Sequence, residues 1–395
     1  MANCFGASQV PFGPRPQIMA PRRPSQPSLD ASLANLTRKN AVYYPNYRVY
    51  RGETPASLNY NCISHVFYAF AHVSHDGGVF LSDEWADAQM PVDGGRGCLG
   101  SFMRLKEQHR YLKLILSIGG GAASQNFAAV AGSAVTRDNF GRSARGLVEA
   151  SGFDGIDSES LYPELLHPRL TSVFLQVDWE HPADPQQGAN FLSLLAAVRL
   201  HLPDGRYLLT AALPAGQWAL QHIDLYRAKD YLDLINLMAY DFAGAWSTTA
   251  GHHAQLYPGN EGEPSGSAAV DYILSTGFPA NKILLGVPVY GRSFIGAYSP
   301  GNVYSGCGGD EGTFEYKDLP RSNAEEIVNT RVVAAFCTGG DGGFVSYDNP
   351  DTVRAKGTYA LEKRLGGLFY WTGTADAPPG PRSLISTGFK ALHGG

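Results

Sequence analysis

The sequence predicts an α/β fold, a (β/α)8 TIM barrel with a small α+β insertion between strands seven and eight. Three observations predict it. Short apolar runs bounded by Gly or polar residues recur along the chain, the pattern of parallel strands buried on both faces. Helix-like segments alternate with these runs about eight times, and eight βα units favour a closed barrel over an open doubly wound sheet. One Gly-rich stretch, from about Ile295 to Val345, breaks the rhythm and reads as the insertion.

The strands follow in order. Ala41–Tyr47 reads as the first, His65–Val73 as the second and Leu112–Gly119 as the third. The segment around Asp154 is the fourth. Tyr207–Leu213, Leu234–Tyr240, Ile283–Tyr290 and Leu365–Trp371 complete the set. Ser101–His109, Arg137–Ala150, Gly188–Leu200 and Asp351–Arg364 carry helical patterns between them. Residues 1–38, with Pro11, Pro14, Pro16, Pro21, Pro24 and Pro27, read as a disordered tail before a catalytic barrel over 39–395.

Composition narrows the function classes. The 395 residues are 44% hydrophobic and 17% charged, with a formal net charge of -5, which excludes a disordered or coiled-coil chain. Mild acidity leaves no footprint for nucleic acid or an anionic membrane. Aromatics reach 11%, with 21 Tyr and 19 Phe. Flat rings suit the apolar faces of sugars, though a large aromatic core explains the number equally well. Cys4, Cys62, Cys98, Cys307 and Cys337 are odd in number and widely spaced, with no metal-site spacing. Cys62, just before an apolar run, is expected to be a buried thiol. No apolar run reaches the ~18 residues that cross a bilayer. No basic start, apolar stretch and cleavage site precede the barrel, so export by that route is not expected unless the start lies elsewhere. The sequon Asn35–Thr37 has no meaning without export.

Chemistry concentrates at the strand ends, which form the active face of such a barrel. Ser117–Gly120 closes strand three, and Gly119 and Gly120 allow close approach of a ligand. Met238–Asp241 ends strand six and sets Tyr240 and Asp241 at the rim. Tyr290–Arg292 and Trp371 end the last two strands. Each could equally be core or rim packing. The strongest constellation is acidic: Gly152–Asp157, then Val177–His181. Asp178 and Glu180 are two residues apart and share a strand face. Two carboxylates crowded inside a barrel raise one pKa and keep one group protonated, as a general acid for a glycosidic oxygen requires. A solvated Asp/Glu pair in a loop is the bland alternative.

With these motifs together, the sequence resembles the family 18 chitinases, of the fungal endochitinase type. That family carries DGxDxDWE on strand four, SxGG on strand three, MxYD on strand six and a Trp ending strand eight. The similarity runs from about Asn40 to Ala391, and 239–246 and 288–294 are also family-like. The resemblance implies chitin or chito-oligosaccharides as the partner, no cofactor, a monomer, and a retaining reaction. Glu180 would protonate the glycosidic oxygen and the substrate's own 2-acetamido oxygen would be the nucleophile. Asp178 would hold the acetamido N–H, with Asp157 setting its charge state. Tyr240 would hydrogen-bond the acetamido oxygen and Trp371 would floor the distorted sugar. Tyr43, Phe70, Trp179, Met238, Asp241 and Arg292 would line the subsite. Thr372 stands where the family often has Glu.

One departure is large. Nineteen residues, Ser158–Gln176, separate Asp157 from Val177. Their removal joins Gly-Ile-Asp157 to Val177–Glu180 and restores the motif. The stretch reads as a retained intron or a faulty gene model, because a strand rarely admits an insert without rebuilding its register. If it is translated, two arrangements compete. Either Phe153–Asp157 stays in the strand and the insert loops out, or Ser172–Glu180 replaces it, with Gln176 in the place of Asp157. Reduced or absent activity is expected of the 395-residue form. Three other functions remain open at this point: a chitin-binding lectin on the same barrel, a hydrolase cutting the chitobiose core of N-glycans, and a phosphate-binding barrel using Gly119–Gly121. The last lacks a matching basic residue.

Overall fold

In the computed structural model, which describes residues 37–120, 125–159 and 182–394, eight parallel strands close on themselves. They are β1 (Lys39–Pro45), β2 (His65–Val73), β3 (Lys113–Gly119), β4 (Gly155–Glu159), β5 (Leu208–Pro214), β6 (Leu234–Met238), β7 (Ile283–Pro288) and β8 (Gly367–Trp371). Each pairs with the next, and β8 returns to β1. The strands read from the apolar runs are all present, with ends shifted by a few residues. Cys62, Cys98 and Cys337 are buried free thiols, and burial pushes the Cys62 thiol up to about 11.

Alternation along each strand divides two cores. Tyr43, Phe67, Ile115, Leu284 and Phe369 fill the barrel interior, while their neighbours Val42, Val66, Leu114, Leu285 and Leu368 pack outward in the main core. Gly286 on β7 is required by this crowding. A Cβ there would lie 2.8 Å from both the Phe369 and the Tyr240 rings.

The outer layer contains α1 (Gly97–Gln108), α2 (Ala134–Ser151), α3 (Pro185–His201), α4 (Gly266–Ser275), α5 (Pro350–Glu362) and α6 (Leu384–His393). Their starts follow local chemistry. The Asp184 side chain accepts from the Gln187 N–H before α3, whose first residue is Pro185. Asn349 and Thr352 form a reciprocal capping box at α5. The β5–β6 connection instead carries two helices of four residues each, Gln217–Leu220 and Leu225–Ala228.

The insertion differs from expectation. It begins at Tyr290 and is a five-stranded antiparallel sheet of Tyr290–Phe294, Thr313–Glu315, Glu325–Asn329, Ala334–Gly339 and Gly343–Tyr347. Its helical content is one 3-10 turn, Tyr316–Asp318. Tyr290 and Arg292 therefore belong to this sheet, and β7 ends at Pro288.

Of the interrupted strand the described residues cover Gly155–Glu159. Asp157 stays in β4, its Cα in register with Ser117 on β3 and Thr210 on β5. The strand runs on through Ser158 into Glu159, the first two residues of the interrupting segment.

A buried ion pair ties α5 to this rim. The Lys356 ammonium, 1% exposed, donates to an Asp348 carboxylate oxygen and to the Ala254 carbonyl. Asp348 also accepts from the Thr352 hydroxyl. Lys356→Met strands a buried carboxylate and is expected to lower stability by about 3 kcal/mol, with urea denaturation as the check. An unchanged midpoint would show that the pair contributes nothing net.

Candidate active site

The site is built where β1, β3, β4, β5 and β6 bring polar residues into an otherwise apolar lumen. Asp157 is fully buried. Its Oδ2 accepts from the Tyr43 hydroxyl at 2.7 Å and the Ser117 hydroxyl at 3.1 Å. Its Oδ1 accepts from the Thr210 hydroxyl at 2.5 Å and Asn236 Nδ2 at 3.5 Å. Asn236 Nδ2 also donates to the Tyr43 oxygen at 2.8 Å. Burial pushes the Asp157 carboxyl above its usual range, opposed by the donors from Thr210, Tyr43 and Ser117.

Above it lies an aromatic floor. Trp371 stacks beside Phe70, ring centroids 5.8 Å apart, and meets Tyr43 at 5.3 Å. Tyr43 stacks in turn on Phe67 at 4.7 Å. Gly119 and Gly120 have φ of +121° and +87°, and a Cβ on Gly120 would come within 2.8 Å of the Phe70 ring. Glycine there is what lets the β3 end pass under that ring. Met238 ends β6, and Tyr240 follows it. Both are buried against the lumen cluster. Tyr240 meets Tyr290 and Phe369 edge-on, each at 6.2 Å.

The rim is electrostatic. Asp241 adopts φ +60°, a backbone state that costs a non-glycine residue energy and gathers at functional sites. Its Oδ1 accepts from the Tyr290 hydroxyl at 2.7 Å and from Arg292 Nε at 2.8 Å. Burial pushes Asp241 up, but the Arg292 guanidinium and the hydrogen bonds outweigh it and hold the carboxyl well below its usual range. Arg292 also lies over the Trp246 ring, 4.6 Å from its centroid.

These groups open into a groove of about 640 Å³ that runs from Trp371 and Asp241 outward between the β1 loop and the insertion, past Arg292, Tyr47 and Glu315. Arg48 donates to Glu53 at 3.2 Å and to Glu315 across the gap, tying the β1 loop to the insertion. Thr372 also lines the groove, its hydroxyl 3.5 Å from that of Thr374. The described residues contain no group of three or more His, Cys, Asp or Glu placed to hold a metal.

The structure thus brings together Tyr43, Phe70, Gly119, Gly120, Asp157, Met238, Tyr240, Asp241, Arg292 and Trp371. Asp178, Trp179 and Glu180 lie outside the described residues. Sequence reasoning missed Thr210 and Asn236. Both had a signal, since each is a lone polar residue inside an apolar strand.

The glycosyl hydrolases family 18 model matches residues 39–376. Endochitinase 1 of Metarhizium robertsii is 38% identical over 382 residues, covering 90% of this chain and 85% of that protein. Chitinase 1 of Aphanocladium album is 37% identical, covering 89% and 85%. Among solved structures, a Bacillus thuringiensis chitinase superposes with a TM-score of 0.79 at 27% identity, over 91% of this chain and 70% of that one. A Cycas revoluta family 18 chitinase, solved as a mutant in complex with (GlcNAc)4, gives 0.74 at 25%, over 89% and 98%. With its barrel, its lumen carboxylate and a family match across nearly all the described residues, the chain belongs to the family 18 glycosyl hydrolases.

Proposed function

We propose that this chain hydrolyses the β-1,4 linkages between N-acetylglucosamine units of chitin with retention of anomeric configuration, by a substrate-assisted route. The observation that carries the reading is the groove lined by Trp371, whose ring packs on Tyr43, the residue that hydrogen-bonds the buried Asp157. A pyranose ring seats its apolar face on the indole, and the rim groups Asp241 and Arg292 meet its hydroxyls.

In this reading Glu180 delivers a proton to the glycosidic oxygen as the C1–O bond breaks. The 2-acetamido carbonyl oxygen of the sugar attacks C1, forming an oxazolinium ion that water opens from the same face. Asp178 balances the developing positive charge on the acetamido nitrogen, and Asp157 supports it from the lumen. Tyr240 orients the acetamido oxygen. The relatives named as chitinases, and the tetrasaccharide in the Cycas complex, support chitin oligomers as the ligand.

The test is hexa-N-acetylchitohexaose followed by proton NMR. Shorter oligosaccharides with the β anomer formed first are expected. Release of the α anomer first would overturn the retaining route, and no release by either this chain or a form lacking Ser158–Gln176 would overturn the hydrolase reading.

A further inference from the structure

We infer that His253 is a positioning residue for the sugar site, holding the Asp241 carboxylate so that one oxygen faces the groove. His253 is fully buried. Its Nδ1 lies 3.3 Å from Asp241 Oδ1, and a carboxylate can only accept, so Nδ1 carries the hydrogen. Three donors, from Tyr290, Arg292 and His253, thus converge on Oδ1. Among the described residues Oδ2 has no hydrogen bond, and Asp241 lines the groove.

The ring is held where it must be to do this. The His253 N–H donates to the Ser346 hydroxyl at 3.2 Å, on the last insertion strand. Its carbonyl accepts from the Phe242 N–H at 3.0 Å, one residue past Asp241. Its ring packs on Tyr290, centroids 5.2 Å apart. The histidine therefore bridges the β6 rim and the insertion sheet. Its Nε2 is buried without a hydrogen-bond partner among the described residues. An apolar side chain would fill this space with no stranded acceptor, so packing alone does not account for the imidazole. The Nδ1–H does. Burial lowers the ring's pKa, opposed by the bond to Asp241, and Nδ1 facing a carboxylate is the donor in either protonation state.

The inference rests on reading the groove as the sugar site. His253→Leu keeps most of the volume and removes the donor, and His253→Asn returns an N–H near the position of Nδ1. On tetra-N-acetylchitotetraose the Leu variant is expected to raise KM about fivefold with kcat within about twofold of the wild type. The Asn variant is expected to recover most of that loss. Oligomer affinity measured by tryptophan fluorescence should shift in parallel. An unchanged KM in the Leu variant overturns the proposal. So does equal impairment of both variants with lowered melting temperatures, the mark of a merely structural role. A wild-type chain that neither binds nor cleaves the oligomer overturns the groove reading instead, and this inference with it.

Discussion

In the form lacking Ser158–Gln176, Glu180→Gln lowers kcat on chitin oligosaccharides by about 10²–10⁴-fold, the usual contribution of a positioned general acid. The amide matches the carboxyl in size and can still donate a hydrogen bond, but it cannot release a proton to the leaving oxygen. Oligomer binding is expected to stay within about threefold of the wild type, because the aromatic floor and the rim are untouched. Kinetics on a soluble tetrasaccharide, with affinity measured alongside, separates the two effects. A variant with unaltered kcat would remove Glu180 from the chemistry. A variant that loses affinity as well as rate would make Glu180 a binding group.

This prediction leans on the part of the molecule that the sequence made most legible. The barrel could be read because its strands are buried on both faces and appear as unbroken apolar runs, such as Leu234–Met238 and Ile283–Pro288. The lumen carboxylate, Asp157, was named by the resemblance of Gly152–Asp157 to the family's strand-four motif. What surrounds it was less visible. Asn236 and Thr210 reach Asp157 from β6 and β5, across 79 and 53 residues of chain. Arg48 meets Glu315 across 267. Such pairings are set by which strands the barrel places side by side, and no local pattern encodes them. In the insertion, the segment Phe314–Leu319 pairs as a strand over Thr313–Glu315 and then turns, an outcome set by the neighbouring strand Tyr290–Phe294.

Removing Ser158–Gln176 is expected to raise activity at least about tenfold over the 395-residue form, and the reason lies in the register of β4. Asp157 sits between Ser117 and Thr210, and two residues further on the strand pairs with Gly119 and Ala212. In the full chain that position is Glu159, and two residues further along the sequence comes Leu161. In the shortened chain the same two positions become Asp178 and Glu180. The deletion therefore moves an aspartate and a glutamate into direct continuation of a strand whose inward carboxylate is already fixed by four donors. Displacing catalytic groups by about 1 Å can cost 10²-fold in rate, so placing them by strand register is expected to outweigh any change elsewhere. Both forms share the groove, the aromatic floor and the Asp241 rim, so their affinity for an unreactive oligomer should agree within a few fold while kcat separates them. Equal kcat in the two forms would mean that Glu180 reaches the glycosidic oxygen without the continuity of β4, and the assignment of the acid pair to that strand would fall.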